Sequence, residues 1–341
     1  MDYKYKLSVC ITNYNQMQYI EAAVNSIINQ TMNFSYEILI GDDGSNDGSF
    51  ELVQQKYADM TNVRIFRQIR EPYKKEHPSW RHSRLIVRLL REVKGEYFVV
   101  LDGDDFFCDM ESLQRKIDIL DDAENTDCIL CNSAWCELKN GRYIDNIYKN
   151  INRKKTDLSH VFFKNTESYI PFSTAVVRSV VLKNIEEQYT MDFSDTFLYF
   201  WTMNYGKRYF DAHITFCYRI HEESIVRTDG ELVRNIRAVL SDDIVKCQWG
   251  KYHIRRMAVR FWNYIFLYKN RYIFREWNDY EIWYPIAQRY RGWAIRIMEY
   301  YKKNRVEKIL ISIHLYLQLI VSLIGHKIEC IFDKEKYLHE V

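Results

Sequence analysis

The stretch from Tyr97 to Phe107, YFVVLDGDDFF, sets three carboxylates directly behind five apolar, β-forming residues. An unbroken apolar run of that kind reads as a strand buried on both faces, which belongs in a parallel sheet covered by helices. It empties at once into Asp102, Gly103, Asp104 and Asp105. Carboxylates so close repel one another and take up protons unless a cation neutralises them, and hard oxygen donors on a short turn suit magnesium or manganese. Gly103 lets the backbone turn tightly between them. Taken alone, the motif describes an exposed acidic turn equally well, because Asp and Gly are turn residues.

The preceding residues supply the context. Lys6 opens a β-branched run, LSVCITNYN, that ends in Thr12, Asn13, Tyr14 and Asn15; Ile20, Val24, Ile27 and Ile28 then fall on one side of a helix. A second strand, Tyr36 to Ile40, runs into Gly41, Asp42, Asp43, Gly44, Ser45, Asn46, Asp47 and Gly48, and Ser49 to Tyr57 reads as helix. A third strand is expected at Val63 to Phe66, an irregular basic segment to about Ser79, and a helix from Ser83 to Val93. Alternating strands and helices imply a mostly parallel sheet, whose ligands bind outside the carboxyl ends of the strands. Thr12 to Asn15, Asp42 to Asp47 and Asp102 to Asp105 all end there. A helix-capping turn is the competing reading of Asp42 to Asp47.

In order, ITNYN, ILIGDDGSNDGS and KGEYFVVLDGDD resemble the nucleotide-sugar domain of the family 2 glycosyltransferases, the inverting group with the GT-A fold. The resemblance implies that Thr12, Tyr14 and Asn15 hold the nucleoside with Asp42, that Asp43 supports the loop, and that Asp102 and Gly103 meet the ribose and diphosphate. It implies a divalent cation, Mn2+ or Mg2+, on Asp104. Arg84 resembles the arginine of the family's RN pair, a diphosphate contact, although Leu85 replaces the asparagine. Departure of a nucleoside diphosphate develops negative charge that such a cation stabilises.

After Asp105 a helical run to about Asp121 and a strand at Cys128 to Ala134 are expected, then a polar surface stretch from Lys139 to Thr156. The segment IPFSTAVVRSVVL, Ile170 to Leu182, is similar to the family's stretch beneath the acceptor, with strand packing the simpler role for Ser173 and Thr174. Further on, MDFSDTFLYFWTMNYGKRYFDAHITFCYRIHEES resembles the family's acidic helix start, closing glycine and YRxHxxS motif. The resemblance makes Asp195 the general base that deprotonates an acceptor hydroxyl. Ser194 replaces the usual glutamate, Asp192 competes as base, and a helix cap is the plain alternative for Asp195. His221 becomes a further metal or diphosphate ligand, against a structural histidine. A nucleotidyltransferase of similar fold and a catalytically silent nucleotide-sugar-binding subunit are the other readings.

The resemblance stops near Thr228, which divides the chain into a GT-A domain, 1–228, and a helical extension, 229–341. Charge divides there too: residues 1–230 carry 28 basic and 34 acidic side chains, residues 231–341 carry 20 and 12. The extension holds five of the eight tryptophans, but no nucleic-acid motif, so nucleic acid is not an expected partner. Ile309 to Ile324 is apolar over most of a helical circumference and follows Lys302, Lys303, Arg305 and Lys308. It is short for a membrane span, which leaves an anionic membrane surface, a homodimer interface and core burial as readings. Eight scattered cysteines, and no charged-then-apolar leader before Leu7, point to no disulfide framework and to the cytoplasm, at the inner membrane face if the tail binds lipid. The expected partners are then a nucleotide-sugar donor, UDP by the family's habit, and a glycan or lipid-linked saccharide acceptor.

Overall fold

The computed structural model describes residues 3–70, 78–146, 155–156, 170–184, 198–199, 202 and 205–221. Asp192, Asp195 and the whole extension 229–341 lie outside the described residues.

The first half alternates strands and helices: β1 (Tyr5–Asn13), α1 (Ile20–Ile28), β2 (Tyr36–Asp42), α2 (Ser49–Tyr57), β3 (Val63–Arg67), α3 (Pro78–Arg91) and β4 (Gly95–Asp102). Its strands pair in parallel in the order β3-β2-β1-β4. Side chains of β1 and β4 are buried on both faces, as the continuous apolar runs require. Spacing of three and four residues lets α1 bury Ile20, Ala23, Val24 and Ile27 against them.

The second half adds β5 (Phe106–Phe107), α4 (Ser112–Asp121), β6 (Cys128–Lys139), β7 (Arg142–Asn146), β8 (Lys155–Thr156), β9 (Val176–Arg178) and β10 (Lys207–Ile220). The sheet continues from β4 through β9, β6 and β10 to β5. β10 runs parallel to β6, whereas β9 is antiparallel to both its neighbours. Nothing among the described residues is a helix long and apolar enough to cross a membrane.

Four local expectations differ. The helix before β4 starts at Pro78, not Ser83; proline is pre-set for a first helical position. Phe106 and Phe107 leave the acidic loop as a short strand on β10, with Phe107 facing Phe216, so the next helix waits until Ser112. The strand from Cys128 runs on to Lys139, where Asn140 and Gly141, both with positive φ, turn the chain into β7. Phe172 to Thr174 form a 3₁₀ turn rather than strand, closed by a 2.8 Å bond from Thr174 Oγ1 to the Pro171 carbonyl.

The two halves are fastened by Arg178 at the end of β9. Its guanidinium donates to the Tyr97 hydroxyl and the Cys128 carbonyl, both at 2.9 Å, and to the Leu120 carbonyl, so β4, α4 and β6 share one cation. Arg178→Ala strips a charged donor from three acceptors and should cost about 3 kcal/mol of unfolding free energy in a denaturant titration; a loss below about 0.5 kcal/mol would mean that β9 is held by its ladder alone.

Candidate active site

Parallel register sets the site out. Thr12 at the end of β1 is the neighbour of Asp102 at the end of β4, and Asn13 is the neighbour of Asp42 at the end of β2. Strands β2 and β4 flank β1, so the chain's direction of travel reverses here and a crevice opens between the loops.

Asp42 organises its own loop. Oδ1 accepts from the backbone N–H groups of Gly44 and Ser45, both at 2.9 Å, and Oδ2 accepts from Asn13 Nδ2 at 2.7 Å and Ser45 Oγ at 2.5 Å. It is 1% exposed. Both of its oxygens are thus engaged inside the protein, and they hold the turn. Asn15 joins the same scaffold: its N–H donates to Ser45 Oγ and its Oδ1 accepts from the Asn46 N–H, each at 2.9 Å.

Asp43 has the more chemical setting. Its carboxylate accepts from Gln68 Nε2 at 2.8 Å and Arg81 Nε at 3.2 Å. Burial lifts its pKa above the ordinary aspartate value, against the pull of Arg81 and Arg70. Nearby, the Arg70 guanidinium lies over the Tyr14 ring, 4.0 Å from its centroid. The resemblance implies that Asp42 holds the nucleoside and Asp43 the loop; in the structure Asp42 bonds within its own loop, and Asp43 bonds outward to Gln68 and Arg81.

Asp102 Oδ1 accepts from Thr12 Oγ1 at 2.9 Å and lies 2.8 Å from His82 Nε2. Burial pushes the Asp102 carboxyl up, but the charge and hydrogen bond of His82, with Thr12, bring it below the ordinary aspartate value. Between this residue and Asp104, only glycine fits: a Cβ at Gly103 would lie 2.5 Å from the Thr12 carbonyl oxygen. Arg84, half-buried, stands on α3 two residues beyond His82.

At the far end of the acidic loop, Asp104 Oδ2 lies 2.8 Å from His221 Nε2. Arg219 locks this arrangement. Its N–H donates to Asp105 Oδ1 at 2.7 Å, its Nε to the Asp104 carbonyl at 2.8 Å, and its guanidinium stacks on Tyr19 and Phe106. Tyr19 also packs against the His221 ring, centroids 5.0 Å apart.

The donor set fits a divalent cation. Adjacent ligand atoms around octahedral Mg2+ or Mn2+ stand about 3 Å apart, close to the Asp104–His221 separation. Among the described residues no group of three or more His, Cys, Asp or Glu side chains surrounds a point. Magnesium-type sites take few protein donors and keep several waters, so this pair is compatible with one.

A family model described as glycosyl transferase family 2 matches residues 8–185, just over half of the chain. The chain belongs to glycosyl transferase family 2. Similar proteins include a glycosyltransferase of Mycoplasma genitalium, 35% identical over 103 residues, which are 30% of this chain and 33% of that protein. The cholesterol galactosyltransferase of Borreliella burgdorferi is 36% identical over 104 residues, 30% of this chain and 26% of that one. The match thus spans a third or less of these two relatives' length. A Rickettsia typhi glycosyltransferase is 26% identical over 229 residues, 65% of this chain and 66% of its own. Among solved structures, S. aureus TarS 1–349 in complex with UDP-GlcNAc superposes with a TM-score of 0.51 at 16% identity, covering 74% of this chain and 73% of that one. That likeness is one of fold.

Sequence reasoning passed over His82, Arg81 and Gln68, which reach the loops from a helix and a strand end. Their signal was weak: two histidines among the five arginines and lysines from Arg70 to Arg84 mark nothing by spacing. Asp105, 2% exposed, is the carboxyl most altered by the site; burial, then Asp104 and Asp102, lift its pKa well above the ordinary value. The native protein therefore retains a proton that the unfolded chain gives up, and this contribution to stability is full at low pH and declines as pH rises from about 4 toward the folded value. Asp105→Asn keeps an acceptor for the Arg219 N–H and removes the titration. In chelator, its unfolding free energy should fall less between about pH 4 and 7 than that of the native protein; equal slopes would show Asp105 ionised throughout.

Proposed function

We propose that the chain is a metal-assisted, inverting glycosyltransferase that moves a sugar from a UDP-sugar to a hydroxyl of a glycan or lipid-linked acceptor. The observation that carries the reading is the meeting of Thr12, Asp102, Asp104 and His221 at the carboxyl edge of one sheet. Family membership supports it, as do the names of the relatives and the UDP-GlcNAc complex of TarS.

In this reading Tyr14, Thr12 and Asn15 line the nucleoside end. Asp43, an acceptor held between Arg81 and Gln68, takes the N3–H of uracil, while Asp42 keeps the loop in shape. Asp102 and Gly103 meet the ribose and the first phosphate, with Arg84 toward the diphosphate. Asp104 and His221 hold Mn2+ or Mg2+, which when bound neutralises charge on the departing diphosphate as a Lewis acid. Asp195 accepts the proton of the acceptor hydroxyl as its oxygen bonds to the anomeric carbon. The bond from that carbon to the diphosphate oxygen breaks in the same displacement, and the nucleoside diphosphate leaves with the electron pair. Attack from the face opposite the leaving group inverts the anomeric centre, as in sugar hydrolases that work without a covalent intermediate.

Residues 1–228 carry these steps. The extension 229–341, basic and rich in aromatic residues, serves in this proposal to bring the enzyme to an anionic inner membrane face, where a lipid-linked acceptor would lie, or to join two copies.

Calorimetry with UDP-GlcNAc, UDP and GDP, each with manganese or chelator, tests the donor site. A uridine nucleotide should bind only with metal, and Asp104→Ala should abolish that binding with the fold intact; metal-independent binding of equal strength would remove Asp104 and His221 from the role. For the base, Asp195→Asn should retain donor affinity while turnover falls about 10²- to 10⁴-fold. A parallel loss of affinity would return Asp195 to a helix cap.

A further inference from the structure

Helix α3 delivers two consecutive side chains to two different acidic loops. Arg81 Nε reaches Asp43 Oδ2 at 3.2 Å, and His82 Nε2 reaches Asp102 Oδ1 at 2.8 Å, with Thr12 Oγ1 3.2 Å from the same ring nitrogen. The helix cannot sit elsewhere without repacking. Leu85 and Leu89 close down on Gly41 at the end of β2, where a Cβ would come within 2.8 Å of Leu85 Cδ1. A buried apolar stripe of Leu85, Ile86, Leu89 and Leu90 thus fixes the height of His82 above the sheet.

The bonds on Asp102 are one-sided. Oδ1 receives Thr12 and His82, from β1 on one side and α3 on the other, while Oδ2 has no hydrogen bond among the described residues. Two donors converging on one oxygen set the plane of the carboxylate and leave the second oxygen to a ligand. Thr12 alone leaves the carboxylate free to rotate about that bond. The second donor is what removes the freedom.

We infer that His82 is a positioning residue for donor binding: it acts through Asp102, holding the carboxylate so that Oδ2 meets the ribose and diphosphate end of the nucleotide. This rests on reading the site as a nucleotide-sugar site. The imidazole serves as an N–H donor of fixed reach, and Gln, whose Nε2 stands at a similar distance from the backbone, replaces it.

The test is a double-mutant cycle read by calorimetry with UDP and manganese. His82→Ala should weaken UDP about tenfold, the scale of ordering one freed side chain on binding. His82→Gln should stay within about threefold of the native protein by the same reasoning. In an Asp102→Ala background, removing His82 should change nothing further, because its effect passes through the absent carboxylate. An equal loss in both backgrounds would make His82 a direct ligand and overturn the inference, as would native affinity in His82→Ala or a tenfold loss in His82→Gln. Should His82→Ala fail to fold, His82→Leu fills the space and takes its place in the cycle. If the native protein itself binds no UDP with manganese, the donor-site reading fails first and carries this inference with it; the native curve alone separates the two cases.

Discussion

Negative charge gathered on one edge of the sheet is the constraint that the rest of the structure answers. Asp42, Asp43, Asp102, Asp104 and Asp105 end up within two neighbouring loops, and each is reconciled differently. Asp42 is wrapped in two backbone amides, one hydroxyl and an amide side chain; Asp43 takes an arginine; Asp102 takes a histidine and a threonine. Asp105 is driven toward its neutral form by burial and by its neighbours. Asp104 is left facing a lone imidazole across 2.8 Å. The carboxylates are thus sorted by environment rather than by kind, and two of them, Asp102 and Asp104, are set against imidazoles.

Much of this order was legible in the chain, because it rests on short-range physics. Apolar runs marked β1, β2 and β4, three- and four-residue spacing marked α1 and α2, and glycine-rich acidic turns marked where strands end. Parallel pairing then obliges those turns to meet, which is why Thr12 and Asp102 could be brought together on paper. Long-range contacts were not legible. Nothing local says that His82 sits above Asp102, that Arg219 bonds two residues of the acidic loop, or that Arg178 ties Tyr97 to Cys128. These follow from helix packing and strand order, set by burial summed over the whole domain. Asp42 and Asp43, identical neighbours in sequence, are likewise told apart only by their partners: the first bonds within its own loop, the second to Gln68 and Arg81.

Opposite ends of the sheet carry opposite tasks. At the amino end, Glu37 is also a buried carboxylate, but it is satisfied by Ser8 Oγ at 2.6 Å, the Lys94 N–H at 2.9 Å and an ion pair with Arg64. No acceptor capacity is kept back, and the group serves cohesion. The carboxyl end keeps Asp102 Oδ2 out of such bonds among the described residues. A buried polar group fully paired stabilises a fold, whereas Asp102, with 36% of its side chain exposed, is paired through one oxygen alone among the described residues.

The join between the two halves of the sheet is narrow. Strand β9 has three residues, touches β4 through two register pairs and β6 through two, and runs against the direction of both. By contrast, β1 pairs with β2 and with β4 through seven register pairs each, and β2 with β3 through five. Yet Arg219 and His221, which lie beyond this insert, reach back to Asp104 and Asp105, so the acidic loop draws its partners from both sides of the join. The acidic loop is therefore a second clasp across the sheet: a slip of β10 along β6 would be felt at Asp104 and Asp105 as directly as at the strands themselves.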